Sequence, residues 1–187
     1  MDTALESEFL SVEDYLAGEE TSPIRHEYVG GIAYAMAGSS EEHNIIAGNI
    51  FSELRANLRG GPCKVFIADI KTRLFLANRN LFYYPDVMVT CDPKDSDRFY
   101  KRFPKVIVEV LSDGTENTDR REKFWNYTQF DSLEDYVLVS QSKMEVTLFR
   151  RGNDWKPEIL RQSQDELSLN SLGFKITLQS VYEGVNF

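Results

Sequence analysis

Two strand-like segments that each carry one carboxylate constrain this sequence more than any other feature. The segment "YYPDVMVTC", residues 83–91, contains Asp86, and "VIVEVLS", residues 106–112, contains Glu109. Both segments are rich in Val, Ile, Leu or Tyr, which favour strands packed in a sheet. A buried carboxylate without a partner is costly because its charged form loses hydration. The two segments therefore predict neighbouring strands that present both carboxylates to a shared partner.

A divalent cation would meet the need of both side chains. Mg²⁺ and Mn²⁺ prefer hard oxygen ligands, which are carboxylates, backbone carbonyls and water. Each acid also has a simpler interpretation. Asp86 follows Pro85 and is typical of a residue at a strand entry or turn, and Glu109 is compatible with an edge strand that faces water.

Composition indicates a globular protein. Its 187 residues, of which 42% are hydrophobic, are enough for one domain spanning residues 1–187 with a sizeable core. We expect a cytoplasmic protein without membrane segments, because no apolar run approaches a membrane span and no signal peptide is recognisable at the N-terminus. The two cysteines, Cys63 and Cys91, are expected to be reduced core residues. With two histidines in the chain, a Cys/His zinc site is not expected.

The charge is unevenly distributed. The chain has a net charge of −9, but residues 1–27 hold eight acids and one base, so residues 28–187 carry −2. Between Lys64 and Lys123 there are twelve basic and ten acidic residues, with a basic cluster in "RFYKRFPK". That cluster could meet a polyanion, and it could equally be a solvated loop.

The order of local patterns predicts a mixed α/β domain. Ser11 is a candidate N-cap for a helix that stops at Gly18, and Gly30-Gly31 indicates a hairpin turn. A helix with apolar residues at every fourth position follows Ser39. Three strand-like segments, a second helix within residues 115–130 and further strands come next. This order favours one α/β (α+β) domain with a mixed sheet.

Five segments together resemble a known family. These segments are "RHEYVGGIAYAMAGSSEEHN", "YYPDVMV", "PKVIVEVLS", "DGTENTDRREKFWNY" and "EDYVLVS". Pro85-Asp86 with Glu109 resembles the PD-(D/E)xK nuclease superfamily, and the whole arrangement is similar to the bacterial Uma-two family of restriction-endonuclease-like proteins. The resemblance implies a restriction-endonuclease-like core with an N-terminal helix and hairpin, and a metal held by Asp86, Glu109 and the Val110 carbonyl.

The sequence departs from the superfamily pattern at its lysine. The pattern has a lysine two residues after the second acid, where this chain has Leu111. Lys123 is the best substitute, because on a helix it shares a face with Tyr127 and Phe130, which would aim it toward the sheet. The alternative is a surface lysine in a charge-rich helix.

Several residues are weaker candidates for supporting roles. Asp69 could be a further ligand, a partner of the ligands or a turn residue, and Lys71 is the alternative to Lys123. His43 faces the apolar side of its helix, where a structural role is favoured over a catalytic one. Glu42 resembles an acid found in some nuclease sites of the superfamily, but its place three residues after Ser39 favours capping. Glu27 resembles an acid of the family hairpin whose role is open.

These residues favour a Mg²⁺- or Mn²⁺-dependent endonuclease that hydrolyses DNA. Asp86 and Glu109 would bind the metal and Lys123 would orient the attacking water. The alternative is a nuclease-fold protein without activity that binds nucleic acid or protein, which Leu111 and the charge of −9 favour. By analogy with related nucleases we expect a homodimer, with "KMEVTLFRR" as a strand at the interface. The acidic N-terminus is expected to lie away from the cleft, with these phosphate contacts near it: Arg98, Lys101, Arg102, Lys105, Arg120 and Arg121.

Overall fold

The computed structural model describes residues 9–112 and 119–187, which form helices and strands in mixed order. The helices are α1 (Val12–Thr21), α2 (Glu41–Asn57), α3 (Phe124–Tyr127) and α4 (Leu178–Val181), and a π-helical turn, Asp119–Lys123, leads directly into α3. The strands are β1 (His26–Val29), β2 (Ile32–Ala35), β3 (Lys64–Ile67), β4 (Lys71–Leu76), β5 (Arg79–Tyr83), β6 (Val87–Thr90), β7 (Tyr100–Lys101), β8 (Pro104–Leu111), β9 (Asp135–Ser140), β10 (Val146–Arg150), β11 (Pro157–Leu160), β12 (Glu166–Leu169) and β13 (Phe174–Thr177).

Two mixed sheets and a hairpin organise these strands. The larger sheet has the order β11-β10-β9-β8-β6-β3, in which β8 is parallel to β9 and antiparallel to β6. The smaller sheet has the order β2-β1-β5-β4-β7, and β12 pairs with β13. The chain passes from the smaller to the larger sheet between β5 and β6, where Asp86 lies. The predicted mixed α/β fold is confirmed.

Strand β8 is covered on both faces. Its residues Val106, Val108 and Val110 belong to the core cluster that contains Ile46 and Ile50 of α2. The alternate residues Ile107 and Leu111 belong to a second cluster with aromatic side chains of α3 and the smaller sheet. Because successive strand residues point to opposite faces, Glu109 lies on the second face, and it is 3% exposed. The edge-strand interpretation of Glu109 is therefore wrong.

The N-terminal helix, the hairpin and helix α2 form as the sequence predicted, but the end of α1 and the cap of α2 differ from the prediction. The Ser11 hydroxyl accepts a hydrogen bond from the Asp14 N–H, and Gly30 and Gly31 make the hairpin turn with φ of 57° and 106°. Helix α1 continues past Gly18 to Thr21, which places Glu19 against His26 and Tyr84. Helix α2 is capped by Ser40 rather than Ser39.

Strand β10 lies inside the larger sheet, between β9 and β11. Its backbone is paired on both sides, so it cannot add a strand across an interface as the sequence suggested. The expected homodimer would need another surface.

Among the helices of the described residues, none combines the length and apolar character that a membrane crossing requires.

The two cysteines are joined, which corrects the expectation of free thiols. Cys63 and Cys91 form a disulfide with their Cα atoms 4.0 Å apart. Lys64 of β3 pairs with Thr90 of β6, and the antiparallel register places the cysteines opposite each other one step further along. Their separation of 28 residues in the sequence concealed this proximity, which depends on pairing between strands that are distant along the chain.

We expect reduction of this disulfide to lower the free energy of unfolding by about 3–4 kcal/mol, because the closed loop restricts the unfolded chain. Urea unfolding with and without reductant would measure the difference. The Cys63→Ala/Cys91→Ala double variant should have the same free energy of unfolding as the reduced protein, and adding reductant should not change it. Two titratable thiols in the unreduced, unfolded protein would contradict the pairing.

Candidate active site

One cavity brings together the two acids singled out from the sequence. It has a volume of about 330 Å³ and is lined by Asp86, Glu109 and Lys123. The β1–β2 hairpin, the segment that leads into α2, and His43 in its first turn complete the wall. Asp86 directly precedes Val87, which pairs with Val108, so Asp86 and Glu109 occupy adjacent positions on neighbouring strands.

Two hydrogen bonds orient the Asp86 carboxylate. Its Oδ2 accepts from the Val110 N–H at 2.7 Å, and its Oδ1 lies 2.8 Å from His43 Nε2. Donation from His43 to Asp86 requires a proton on Nε2, and the other ring nitrogen, the buried Nδ1, has no hydrogen-bond partner within the described parts of the chain. His43 thus faces a site residue, and its ring and the β8 backbone hold Asp86 from two sides.

The Glu109 carboxylate is held by groups from the following helix. Its Oε1 accepts a hydrogen bond from the Tyr127 hydroxyl at 2.8 Å. Burial raises the pKa of Tyr127 well above its ordinary value, so the hydroxyl stays protonated and keeps donating. Leu111, at the usual lysine position, is packed in the apolar cluster that includes Tyr127 and Tyr83. That position of β8 faces a core and offers no place for a cation.

Lys123 supplies the cation that Leu111 does not. Its ammonium lies 3.6 Å from Glu109 Oε1 and 2.8 Å from Glu27 Oε1, with the Tyr83 ring centroid 5.7 Å away. The residue is 6% exposed, so the alternative of a surface lysine is wrong. Lys123 is the last residue of the π-helical turn and directly precedes α3.

Glu27 is the site residue that sequence reasoning left without a role. It lies on β1, where Tyr28 is buried against α1, and its own side chain lines the cavity and pairs with Lys123. An acid in the short strand "HEYV" was the available signal, but nothing in the local pattern indicated its partner. The expectation that the acidic N-terminal region lies away from the cleft is therefore wrong for Glu27, while Asp2, Glu6 and Glu8 of that region lie outside the described residues.

Three weaker candidates lie elsewhere. Asp69 is in the turn between β3 and β4, where its exposed carboxylate pairs with Arg25 Nε at 3.2 Å. Lys71 begins β4 and donates to the Tyr84 hydroxyl at 3.1 Å. Both line a separate cavity of about 310 Å³. Glu42 stays at the start of α2, where hydrogen bonds from its own backbone N–H and from Ser40 lower its pKa.

A buried polar group links this second cavity to the first. Tyr84 lines both cavities, and its hydroxyl donates to Glu19 at 2.6 Å. Burial alone would raise the pKa of Glu19, but the hydrogen bonds from Tyr84 and His26 lower it. Burial lowers the pKa of Lys71. Lys71 therefore belongs to the hydrogen-bond network of Tyr84, Glu19 and His26, and it does not line the cavity of the two acids.

The predicted phosphate contacts are not gathered around the Asp86 cavity. The structure describes the side chains of five of the six predicted contacts, and none of these five lines the cavity. Lys101 is buried, with its ammonium bonded to the carbonyls of Asp95 and Asp97. Arg102 lines a different cleft. The side chain of Arg120 lies outside the described part of the structure.

The oxygen donors of the cavity are of the kind that magnesium and manganese ions prefer. The donors would be the carboxylates of Asp86 and Glu109 with the carbonyl of Val110, which lies on the same edge of β8 as the N–H bonded to Asp86. Within residues 9–112 and 119–187, no cluster of three or more His, Cys, Asp or Glu side chains could hold a metal. Mg²⁺ commonly uses one or two protein carboxylates and keeps several waters, so a site with two carboxylates suits it.

The geometry around Lys123 makes a prediction about stability. Lys123→Met should lower the free energy of unfolding by roughly 3 kcal/mol or more, because Glu27 and Glu109 would lose a buried cationic partner. Adding Glu27→Gln should restore part of that loss by removing one of the two charges. Urea unfolding of the wild type, both single variants and the double variant would measure it. Strict additivity of the two changes would contradict the pairing.

Comparisons with other proteins agree with the fold described above. The Uma2 family, described as "Putative restriction endonuclease", matches residues 12–179. An uncharacterized protein of Synechocystis sp. (slr1290) is 38% identical over 181 residues, covering 95% of this chain and 94% of that protein. A second uncharacterized Synechocystis protein (sll1609) is 29% identical over 151 residues, covering 79% and 84%. The crystal structure of "a putative nuclease belonging to DUF820" from Anabaena variabilis superposes with a TM-score of 0.74 at 12% identity, covering 95% of this chain and 99% of that one. The likeness confirms the predicted restriction-endonuclease-like fold, and the chain belongs to the Uma2 family.

Proposed function

We propose that this protein is a metal-dependent endonuclease that hydrolyses phosphodiester bonds in DNA. The observation that carries the proposal is the position of Lys123, whose ammonium lies 3.6 Å from Glu109 in the cavity that Asp86 also lines. Two carboxylates and one lysine are the side chains that the nuclease resemblance implied, and here the lysine comes from the following helix. The family match and the nuclease-like fold support the same reaction class.

The chain's own residues would act by position and charge. Lys123 would orient the attacking water and offset negative charge that develops on the phosphate, since a preorganised cation in a partly dry cavity stabilises such charge strongly. Tyr127 and the Val110 N–H keep the carboxylates of Glu109 and Asp86 in fixed orientations. His43 restrains Asp86 from the side of α2.

Asp86, Glu109 and the Val110 carbonyl would hold the ion. A bound Mg²⁺ or Mn²⁺ would supply Lewis-acid polarisation of the phosphate and lower the pKa of a bound water.

A second candidate function follows from the short contact between Lys123 and Glu27. That ion pair is 2.8 Å long, shorter than the approach to Glu109, and could serve the stability of the fold alone. The protein would then be a nuclease-fold module that binds nucleic acid or protein without cutting. Leu111 at the usual lysine position and the net charge of −9 favour this alternative.

Cleavage of plasmid DNA separates the two functions. We expect the wild type to cut with Mg²⁺ or Mn²⁺ and to stop cutting with EDTA. Glu109→Gln should abolish cutting, because it removes one charged ligand while its amide can still accept from Tyr127. Ser39→Ala, at the cavity wall, serves as a control that should keep most activity. Failure of the wild type to cut DNA or RNA with either metal would favour the module without activity.

The role of Lys123 is tested in a background that separates stability from chemistry. In the Glu27→Gln protein, Lys123→Met should lower the turnover number by roughly 10²–10³, the scale of losing one preorganised stabilising group. Lys123→Arg should rescue this loss in part, because a guanidinium keeps the charge but differs in shape and hydration. Single-turnover cleavage below the unfolding temperature of every variant would measure the rate. Unchanged turnover in the Met variant would move the role to another cation.

A further inference from the structure

The cleft that Arg102 lines is separate from the Asp86 cavity and from the cavity of Asp69 and Lys71, and it carries positive charge and an exposed aromatic side chain. It has a volume of about 510 Å³ and is lined by two arginines, Arg73 and Arg102, and one acid, Asp131. Phe75, which is 63% exposed, and the polar side chains of Asn80, Gln129 and Ser132 also line it. Guanidinium groups, an open aromatic face and neutral hydrogen-bonding groups are the side chains that bind nucleic-acid backbones and bases.

Arg73 is held in place before any ligand arrives. Its guanidinium carbon lies 5.5 Å from the Phe82 ring centroid and 5.2 Å from that of Tyr100. Its Nε donates to Asn80 Oδ1 at 3.1 Å, and one terminal nitrogen donates to the Tyr100 hydroxyl at 3.0 Å. All of these partners are uncharged, and no carboxylate of the described residues lies within 4.0 Å of it. A fixed guanidinium without a neutralising acid keeps its full charge for an anion.

Arg102 extends the positive side of the cleft. It is exposed, with its guanidinium carbon 5.9 Å from the Phe103 ring centroid, and none of the described carboxylates forms an ion pair with it. Asp131 is exposed and is the acid in this wall. The charged side chains of the lining therefore sum to +1, in a chain whose net charge is −9.

We propose that this cleft binds the phosphodiester backbone of the nucleic acid that the Asp86 cavity cuts. The ligand class rests on the proposed function, while the cleft itself rests on Arg73 and Arg102. Phe103 lines the cleft and Glu109 lines the candidate active site, and strand β8 connects them. Six residues of extended chain span roughly 20 Å, which equals about six base pairs of a B-form duplex. The cleft would hold the substrate at that distance from the bond that is cut.

Binding in EDTA tests the proposal without cleavage. The probes are a fluorescein-labelled duplex of about 20 base pairs and its single strand, which at that length would cover both sites, measured by anisotropy across a salt series. Arg102→Ala should weaken binding roughly tenfold and lower the salt slope by about 0.9 for duplex or 0.7 for single strand. Arg73→Lys should weaken binding as well, since its ammonium lacks the planar fork that the two rings and Asn80 hold.

Two matched variants make the result specific to the cleft. Asp131→Asn should strengthen binding, because it removes a negative charge from the same wall. Arg59→Ala changes the net charge as Arg102→Ala does, but Arg59 is exposed beyond α2 and does not line the cleft, so it should leave the salt slope unchanged. Equal effects of Arg59→Ala and Arg102→Ala would overturn the proposal, as would a wild type that binds neither probe.

Cleavage then separates this inference from the proposed function. A wild type that binds through Arg102 but cuts nothing with Mg²⁺ or Mn²⁺ would end the nuclease proposal and support the cleft. If the wild type cuts and the Arg102→Ala variant cuts at the same rate, at substrate concentrations below saturation, the cleft proposal ends and the nuclease proposal is supported.

Discussion

The burial of Glu109 inside β8 is the constraint on which the rest of the site depends. This strand has β6 and β9 on its two edges and a core cluster on each face, so the carboxylate cannot be hydrated as it would be at an edge. The Tyr127 hydroxyl and the Lys123 ammonium compensate for that loss. These two residues are four positions apart on consecutive helical turns. The helical segment that carries Lys123 and Tyr127 therefore docks with one face on the sheet, which places a cation beside a potential metal ligand.

The same cation connects the two sheets. Lys123 contacts Glu27 of β1, which belongs to the smaller sheet, and Glu109 of β8, which belongs to the larger one. Asp86 lies where the chain crosses between these sheets, and it is bonded to both β8 and α2. The cavity is thus formed where polar contacts join the two sheets, beside the apolar cluster that the sheets share. Any change in the packing of the sheets would alter the distances between the groups proposed for catalysis.

Features that depend on local pattern could be predicted from the sequence, and features that depend on distant pairing could not. Alternating and continuous apolar runs predicted the strands, and Ser11, Gly30 and Gly31 predicted a cap and a turn. The partnership of Lys123 with Glu27 joins residues from separate elements, and the disulfide of Cys63 with Cys91 requires the register of β3 and β6. The basic cluster was visible in the sequence, but Lys101 is buried with carbonyl partners while Arg102 is exposed. Composition alone cannot make that distinction.

The acidic net charge does not by itself argue against a polyanionic ligand. At physiological salt, the interactions of exposed charges are screened beyond about 8 Å, so a phosphate near Arg73 and Arg102 would experience mainly the side chains of that cleft. Acids elsewhere on the surface would reduce the attraction at long range, which lowers nonspecific association. Affinity would then require simultaneous contact with two separated sites, the cleft and the Asp86 cavity. A chain of this charge would therefore favour substrates long enough to span both sites over shorter ones of the same sequence.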